Sequence, residues 1–413
     1  MKQAKIHYAW IVLVGCCLFT FTMQGMVLGT FGSYTTCVAD DFGVGQSKLS
    51  LALTCEMLGM AIAMPIMGSL MRKAKLSLLA AGSVIVIAGG LLAVSMAHSM
   101  GLLYLAWTLI GASVSVTLLL PVLVGNWFAD KLGLATGIVA AIASVGAAIF
   151  NPLVSSLITH IGWRASYRAM AIVILIVLVP VAFLLRYAPQ EGQQPYGADR
   201  IRKNDLATPA AGANDGLTFR QALRSPLFYL ILLASALFSS FSSVFQQVIP
   251  HLISQGFQPT LAATVLSCMS IGSAVGKVAI GPFLDGKRRN QAIVAVAIFA
   301  AVGWAGIALT PGESLTFVCA IIGGLGQCCG LVAIPYLSRR YFGGKEMLKI
   351  SGLSGALCTL VPSVFVVISG SVFDSTGSYA PTFLFASVAT VVLALSVLAG
   401  YNIAIRKRVT ANN

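Results

Sequence analysis

Charge is what this chain has least of. Of its 413 residues, 12 are Asp or Glu and 26 are Lys or Arg, 9% in all, against roughly 25% in soluble globular proteins. A water-soluble enzyme, a nucleic-acid binder and a disordered scaffold are all poor fits to that figure. There is no G-x-x-x-x-G-K-(S/T) run to cradle nucleotide phosphates. There is no C-x-x-C pair, and no His stands near enough to a Cys in sequence to suggest zinc. No enzymatic activity, metal or cofactor is therefore expected. What the chain does have is apolar length: 58% of residues are hydrophobic and the mean hydropathy is +0.90.

A bilayer core of about 30 Å is crossed by roughly 20 apolar residues in a helix. Runs of that length recur at 8–36, 48–71, 76–97, 102–125, 133–158 and 167–186, then at 226–254, 259–284, 291–310, 315–338, 348–373 and 380–405. They are too long and too continuous for barrel strands, which alternate over about ten residues. The first is too long for a signal-peptide core and reads as an uncleaved span. The expectation is an all-α membrane protein with twelve transmembrane helices. One long polar stretch, Ala188 to Ser225, interrupts the series. Its Pro189, Pro195, Gly197 and Pro209, with Gln, Arg, Lys and Asp between, make it a solvated linker, with a short interfacial helix near Thr218–Leu223. The domains expected are 1–187 and 226–413, joined by the linker 188–225.

The basic residues set the orientation. With the N-terminus cytoplasmic, 22 of the Lys and Arg fall inside, Lys48, Arg164 and Arg168 fall outside, and Lys277 lies within a span, which accounts for all 26. That asymmetry is the positive-inside pattern. Both termini are expected in the cytoplasm, and the net charge of +14 needs no nucleic-acid partner. The partners expected are the lipid bilayer and a small molecule, and the chain is expected to be a monomer in a bacterial inner membrane.

The two halves repeat at an offset of 213 to 215 residues. Thr54-Cys55 with Gly59 and Gly68 aligns with Ser267-Cys268, Gly272 and Gly281. Pro121, Trp127-Phe128 and Lys131 align with Pro335, Tyr341-Phe342 and Lys345, and Gly162 aligns with Gly377. Tandem six-helix repeats of parallel topology are the layout of one large transporter class. After the eighth run comes Gly281-Pro282-Phe283-Leu284-Asp285-Gly286-Lys287-Arg288-Arg289. With it the chain resembles the major facilitator superfamily over essentially its full length, since that segment is similar to the superfamily's cytoplasmic gating loop, here Gly281, Asp285, Lys287 and Arg288. The equivalent segment after the second run carries Arg72 where the family has an acid. Asn126-Trp127-Phe128-Ala129-Asp130-Lys131-Leu132-Gly133 and Gly162-Trp163-Arg164 resemble segments of oxalate/formate antiporters and monocarboxylate transporters.

Only two ionisable groups are placed in the hydrocarbon zone, Glu56 in span two and Lys277 in span eight. Such groups are costly there and usually face a cavity or a partner. Lys277 lies about seven residues from the end of its span, too deep for easy snorkelling. Its place, eight positions before Asp285, is where the resemblance implies a substrate-binding arginine. A lysine keeps the charge and loses the bidentate fork. The functional reading is a carboxylate anchor; the structural one is a cation held by carbonyls or by Glu56. For Glu56 a proton-coupling site and a fixed polar contact between helices stand level, and the two groups differ in depth by roughly 12 Å. The span-eleven cation implied by the oxalate carriers is replaced by Cys358. Gly29, Thr117 and Leu331 stand where the resemblance implies larger cage residues. One cation in a roomier cavity suits a monoanion. Gln24, Gln246, Gln247, His251, Gln327 and Asn151 complete the polar candidates for substrate binding. Gln247 and His251 are one turn apart and are expected to share a face. Asn151 precedes Pro152 and is expected to satisfy backbone groups freed by the proline. The cysteines and many of the glycines read as small packing residues.

The function these features imply is secondary active transport of a small organic monocarboxylate by alternating access, driven by proton symport or by antiport against another anion. Two alternatives stay open: a proton-coupled efflux pump for hydrophobic compounds, and a non-transporting membrane sensor on the same fold.

Overall fold

The computed structural model describes residues 7–73, 75–128, 132–187, 189, 194–196, 219–285, 289–310, 312–327, 342 and 347–411. Within those ranges, side chains at 65, 68–69, 71–73, 118–119, 121–122, 132–134, 281–289, 347–352, 355–356 and 401–411 are outside the description. The chain folds as two units, Met1–Pro209 and Ala210–Asn413. Helix dominates because hydrocarbon offers no partner to backbone N–H and C=O groups, so each span must satisfy its own.

In the first unit α1 (Tyr8–Phe19) widens into a π-helical stretch, Thr20–Leu28, and resumes as α2 (Phe31–Phe42). Gly43, in the left-handed region at φ 61, ends α2. α3 (Gln46–Lys73) and α4 (Leu76–Ser95) follow. α5 (Met100–Val114) passes through a 3-10 turn, Ser115–Leu119, into α6 (Leu120–Trp127). α7 (Leu132–Ala182) carries two expected spans on one helix. At 48 residues its apolar part is more than twice a bilayer's requirement, and it breaks at Gly162, where φ is 78 and ψ is 160. A glycine reaches that conformation without a Cβ penalty, so the chain reverses there without the loop expected at 159–166.

In the second unit the short α8 (Phe219–Leu223) falls where a short helix was expected, near Thr218–Leu223. α9 (Pro226–Ser243) runs through a 3-10 turn, Val244–Gln247, into α10 (Val248–Ser254). Then come α11 (Pro259–Asp285), α12 (Arg289–Leu309), α13 (Glu313–Gly326), α14 (Met347–Thr376) and α15 (Ala380–Ala411). Among the described residues ten helices are long and apolar enough to cross a membrane, and α13 is a shorter apolar one. With α7 counted as two spans and α13 as the described part of the tenth, these are the twelve expected. Leu331, Pro335, Tyr341 and Lys345 lie outside the described residues.

Glycines show why the halves repeat. A Cβ on Gly59 would strike the Thr108 carbonyl, and one on Gly111 the Glu56 carbonyl, so α3 and α5 cross backbone to backbone. In the second half Gly272 meets Ile321 and Gly324 meets Met269 in the same way across α11 and α13. Each residue in the second set lies 213 positions after its counterpart in the first. Small residues let helices approach where burial from water cannot drive them together. The repeat read from scattered landmarks is therefore a repeat of helix crossings.

Candidate functional site

Irregular backbone at membrane depth is tolerated where it is buried in protein or lines a cavity. The described breaks from α geometry fall in spans one, four and seven: the π stretch at Thr20–Leu28 and the 3-10 turns at Ser115–Leu119 and Val244–Gln247. The polar candidates gather at them.

In the first half, half-buried Gln24 lies within the π stretch, and its Nε2 donates to Thr117 Oγ1 at 2.9 Å. Thr117 belongs to the 3-10 turn and itself donates to the Val114 carbonyl at 2.8 Å. One amide thus joins the breaks of spans one and four. Glu56 lies at the α3–α5 crossing with 3% exposure, and its Oε1 is buried without a hydrogen-bond partner. Its counterpart in the second half is Met269, fully buried. The same crossing is built around a thioether in one half and a carboxyl in the other, so the fold has no need of a charge there. Asn151 is buried with both amide atoms bonded: Nδ2 donates to the Ala147 carbonyl at 2.8 Å and Oδ1 accepts from Ser33 Oγ at 3.3 Å. The carbonyl freed by Pro152 is that of Ala148, four residues before it, so the proline is not what Asn151 serves. It ties α2 to α7 instead.

In the second half Lys277 is half-buried on α11. It shares a helix face with Ser270 and Ser273, both buried, being seven and four residues from them. Ile271, Val275 and Val278, each more than half exposed, occupy the opposite face. The lysine therefore projects from the packed side of its helix. A Cβ on Gly276, the preceding residue, would meet Leu325 of α13, which brings Lys277 to the level of Gln327. There Ser242 Oγ of α9 donates to Gln327 Oε1 at 3.1 Å, while Gln327 Nε2 is buried with no hydrogen-bond partner. A cation and an uncommitted amide donor on neighbouring helices form a site suited to an anion.

Gln247 and His251 do not act as one face. The 3-10 turn ends at Gln247, so the two leave the chain in different helical geometries. Gln247 is committed to α14, its Nε2 donating to the Val366 carbonyl at 3.2 Å and its Oε1 accepting from Ser369 at 2.6 Å. His251 is committed to α12 through Nε2 and the Ile307 carbonyl at 3.1 Å, with Ser378 at 3.5 Å from Nδ1 and Phe383 against its ring edge. Gln246 is half-buried. Of the gating loop, Gly281 and Asp285 close α11, while the Asp285 side chain and residues Lys287 and Arg288 are outside the description. Cys358 is half-buried on α14, and the described cysteines are free thiols.

The model of the Major Facilitator Superfamily matches residues 13–310 and 248–410. The chain belongs to this superfamily. It is a multi-pass membrane protein. Among relatives, it is 28% identical over 225 residues to the oxalate:formate antiporter of Oxalobacter formigenes, covering 54% of this chain and 50% of that protein. It is 21% identical to the uncharacterised transporter YhjX of Escherichia coli, with 83% of each covered. This chain spans about half the length of the first curated relatives it matches. Among solved structures, a bacterial homologue of the human lysosomal transporter Spinster superposes with a TM-score of 0.72 at 14% identity, covering 98% of both chains. The nucleoside transporter NupG gives 0.68 at 15%, covering 96% of this chain and 99% of that one. At those identities the match is one of fold: twelve transmembrane helices in two pseudo-symmetric bundles.

In this facilitator the Asn126-Trp127-Phe128 segment does structural work. Asn126 Nδ2 donates to the Tyr187 carbonyl at 2.9 Å and Trp127 Nε1 to the Arg186 carbonyl at 2.8 Å, binding chain just beyond the end of α7. Tyr196, from the stretch read as free linker, pairs its backbone N–H with the Trp127 carbonyl at 2.8 Å and packs its ring on Trp10 and Phe128. At the opposite end Arg164 pairs with Asp41 at 2.6 Å, donates to the Ala97 carbonyl at 3.1 Å, and lies over Trp163. That links three turns of the first half. Sequence reasoning missed Ser242 and Tyr196: a hydroxyl in an apolar run and an aromatic in a polar stretch show no pattern until their partners are in place.

Proposed function

We propose that this facilitator moves a small organic monocarboxylate by alternating access, with Lys277 as the carboxylate anchor and Gln327 as a neighbouring donor. The observation that carries the reading is the half-buried lysine on the packed face of α11, level with a buried amide N–H that has no partner. One ammonium with an amide donor on the neighbouring helix suits a single negative charge. Gln24 and Gln246, half-buried at breaks in their spans, are further candidates for substrate contact, and Glu56 is the proton-coupling carboxyl. The likeness to an oxalate:formate antiporter supports a carboxylate substrate and leaves symport and exchange as the two modes. A thermal-unfolding screen of the purified protein against organic acids and hydrophobic cations tests this, because a ligand that binds the folded state raises the midpoint. Monocarboxylates are expected to stabilise it. Stabilisation by hydrophobic cations alone would overturn the proposal in favour of efflux.

The orientation belongs to the same proposal: both termini and the 188–225 linker are cytoplasmic, on the 22-to-3 split of basic residues. Single cysteines introduced near Asp374 or Glu313 are expected to react with membrane-impermeant thiol reagents in intact cells. Those near Lys203 or Arg288 are expected to react only after the membrane is opened. Labelling at Arg288 in intact cells would reverse the topology.

A further inference from the structure

Ser242 has two acceptors within reach and one proton to give. Its Oγ lies 3.1 Å from the Phe238 carbonyl, one turn back on α9, and 3.1 Å from Gln327 Oε1 at the end of α13. A serine hydroxyl donates once. The neighbouring serines behave differently: Ser240 donates to the Ala236 carbonyl at 2.8 Å and Ser243 to the Ser240 carbonyl at 2.7 Å. Both close on their own helix. Of the three, Ser242 is the one whose hydroxyl reaches another span.

The two choices for that proton give the site opposite polarity. When Ser242 donates to Gln327 Oε1, the amide is held with Nε2 turned away from the serine, and that nitrogen is the buried donor without a partner. When the proton goes to Phe238, the serine offers Gln327 a lone pair, which an amide N–H fills. The amide then turns over, and its carbonyl oxygen takes the place of the nitrogen. An anion is drawn to the first arrangement and repelled by the second.

The first half holds the second arrangement. There Gln24 Nε2 donates to Thr117 Oγ1 at 2.9 Å, and Thr117 Oγ1 donates to the Val114 carbonyl at 2.8 Å. Spans one and four are joined there, and spans seven and ten here, each time by a glutamine and a hydroxyl. The protons run in opposite directions, so the fold accepts either.

We propose that Ser242 is a positioning residue. By donating to Gln327 Oε1, its hydroxyl sets the amide so that a donor, and not an acceptor, faces the carboxylate held by Lys277. Ser242 itself does not touch the substrate. The inference rests on the anion site proposed above and deepens it: the preference for an anion belongs to three residues and not to the lysine alone.

The test is binding of labelled formate, acetate and benzoate to the purified full-length protein, with a thermal-unfolding control for each variant. Ser242→Thr and Ser242→Val have the same shape and differ by the hydroxyl. The threonine variant is expected to bind within about twofold of the parent, and the valine variant about fivefold more weakly, the size of one hydrogen bond. Ser242→Ala, which adds no bulk, is expected to match the valine variant. In a Gln327→Leu background the valine change is expected to cost no more than about twofold, because the amide it orients is gone. A serine that served only the packing of α9 would cost the same in both backgrounds. Equal binding by the threonine and valine variants, or equal losses in the two backgrounds, would overturn the role of Ser242 while a loss of binding in Lys277→Ala left the anchor standing. If Lys277→Ala binds like the parent, or the parent binds none of the three acids, the anion site fails and this inference fails with it.

Discussion

Lys277→Ala is expected to lower affinity for the transported carboxylate by roughly 100-fold or more, while the protein folds and inserts as before. Removing one partner from a largely desolvated charge pair costs about 3 kcal/mol or more, and each 1.4 kcal/mol is a factor of about ten in Kd. Folding is expected to survive because the lysine is half-buried and an alanine on the packed face of α11 leaves the Gly272–Ile321 and Gly276–Leu325 approaches intact. Lys277→Arg keeps the charge but changes the reach and shape of the donor, and should retain partial binding. Gln327→Leu removes the neighbouring amide and not the charge, so its loss should be smaller, about tenfold, in line with the roughly 1.5 kcal/mol of a hydrogen bond to a charged group. Binding of a labelled monocarboxylate, with a thermal-unfolding control for each variant, decides the matter. Equal affinity in Lys277→Ala and the parent would remove the anion anchor from the proposal.

The second large effect concerns Glu56. A Gln at this position keeps the shape and cannot exchange a proton, so Glu56→Gln should still swap labelled for unlabelled substrate across a proteoliposome membrane. It should lose accumulation driven by a pH gradient. Glu56→Met goes further, because it installs the residue that the second half already carries at the same crossing. An unpartnered buried carboxyl is a burden on the folded state, and replacing it with an apolar side chain of similar volume relieves that. The methionine variant is therefore expected to unfold at a higher temperature than the parent and to transport without coupling. A purely structural Glu56 would produce the reverse, a less stable protein with coupling intact. Uphill accumulation by Glu56→Gln would move coupling to another group, Lys277 being the alternative, since a lysine away from water can itself release a proton.

The two predictions rest on residues whose readings came from different places. Lys277 was legible as a charge in an apolar run, and the structure added its direction, toward buried Ser270 and Ser273 and away from exposed Val275 and Val278. Glu56 was equally visible, but the choice between coupling group and structural contact had nothing to turn on. The equivalent crossing with Met269 supplied an internal comparison, because the repeat shows what the fold accepts at that point. Gln247 and His251 went the other way. Their four-residue spacing suggested a shared polar face, and the 3-10 turn ending at Gln247 sent one to α14 and the other to α12.

The sequence by itself determined the membrane class and the long apolar spans, and it singled out the two ionisable groups expected in the hydrocarbon zone. Each of these follows from local composition and length: a bilayer sets the run of apolar residues, and the scarcity of charge makes each exception visible. Only the tertiary structure decided which polar groups are already spent. A side chain's hydrogen-bond partner here lies tens of residues away on another helix, as with Gln24 and Thr117 or Ser242 and Gln327, and no periodicity along one helix specifies it. Helix spacing decides, and spacing is set by contacts such as Gly111 on Glu56 and Gly276 on Leu325. Gln327 and Asn151 look alike as amides in apolar runs. One has a buried amide nitrogen without a partner and the other has its nitrogen and oxygen both bonded, because the backbone around each brings different neighbours within reach.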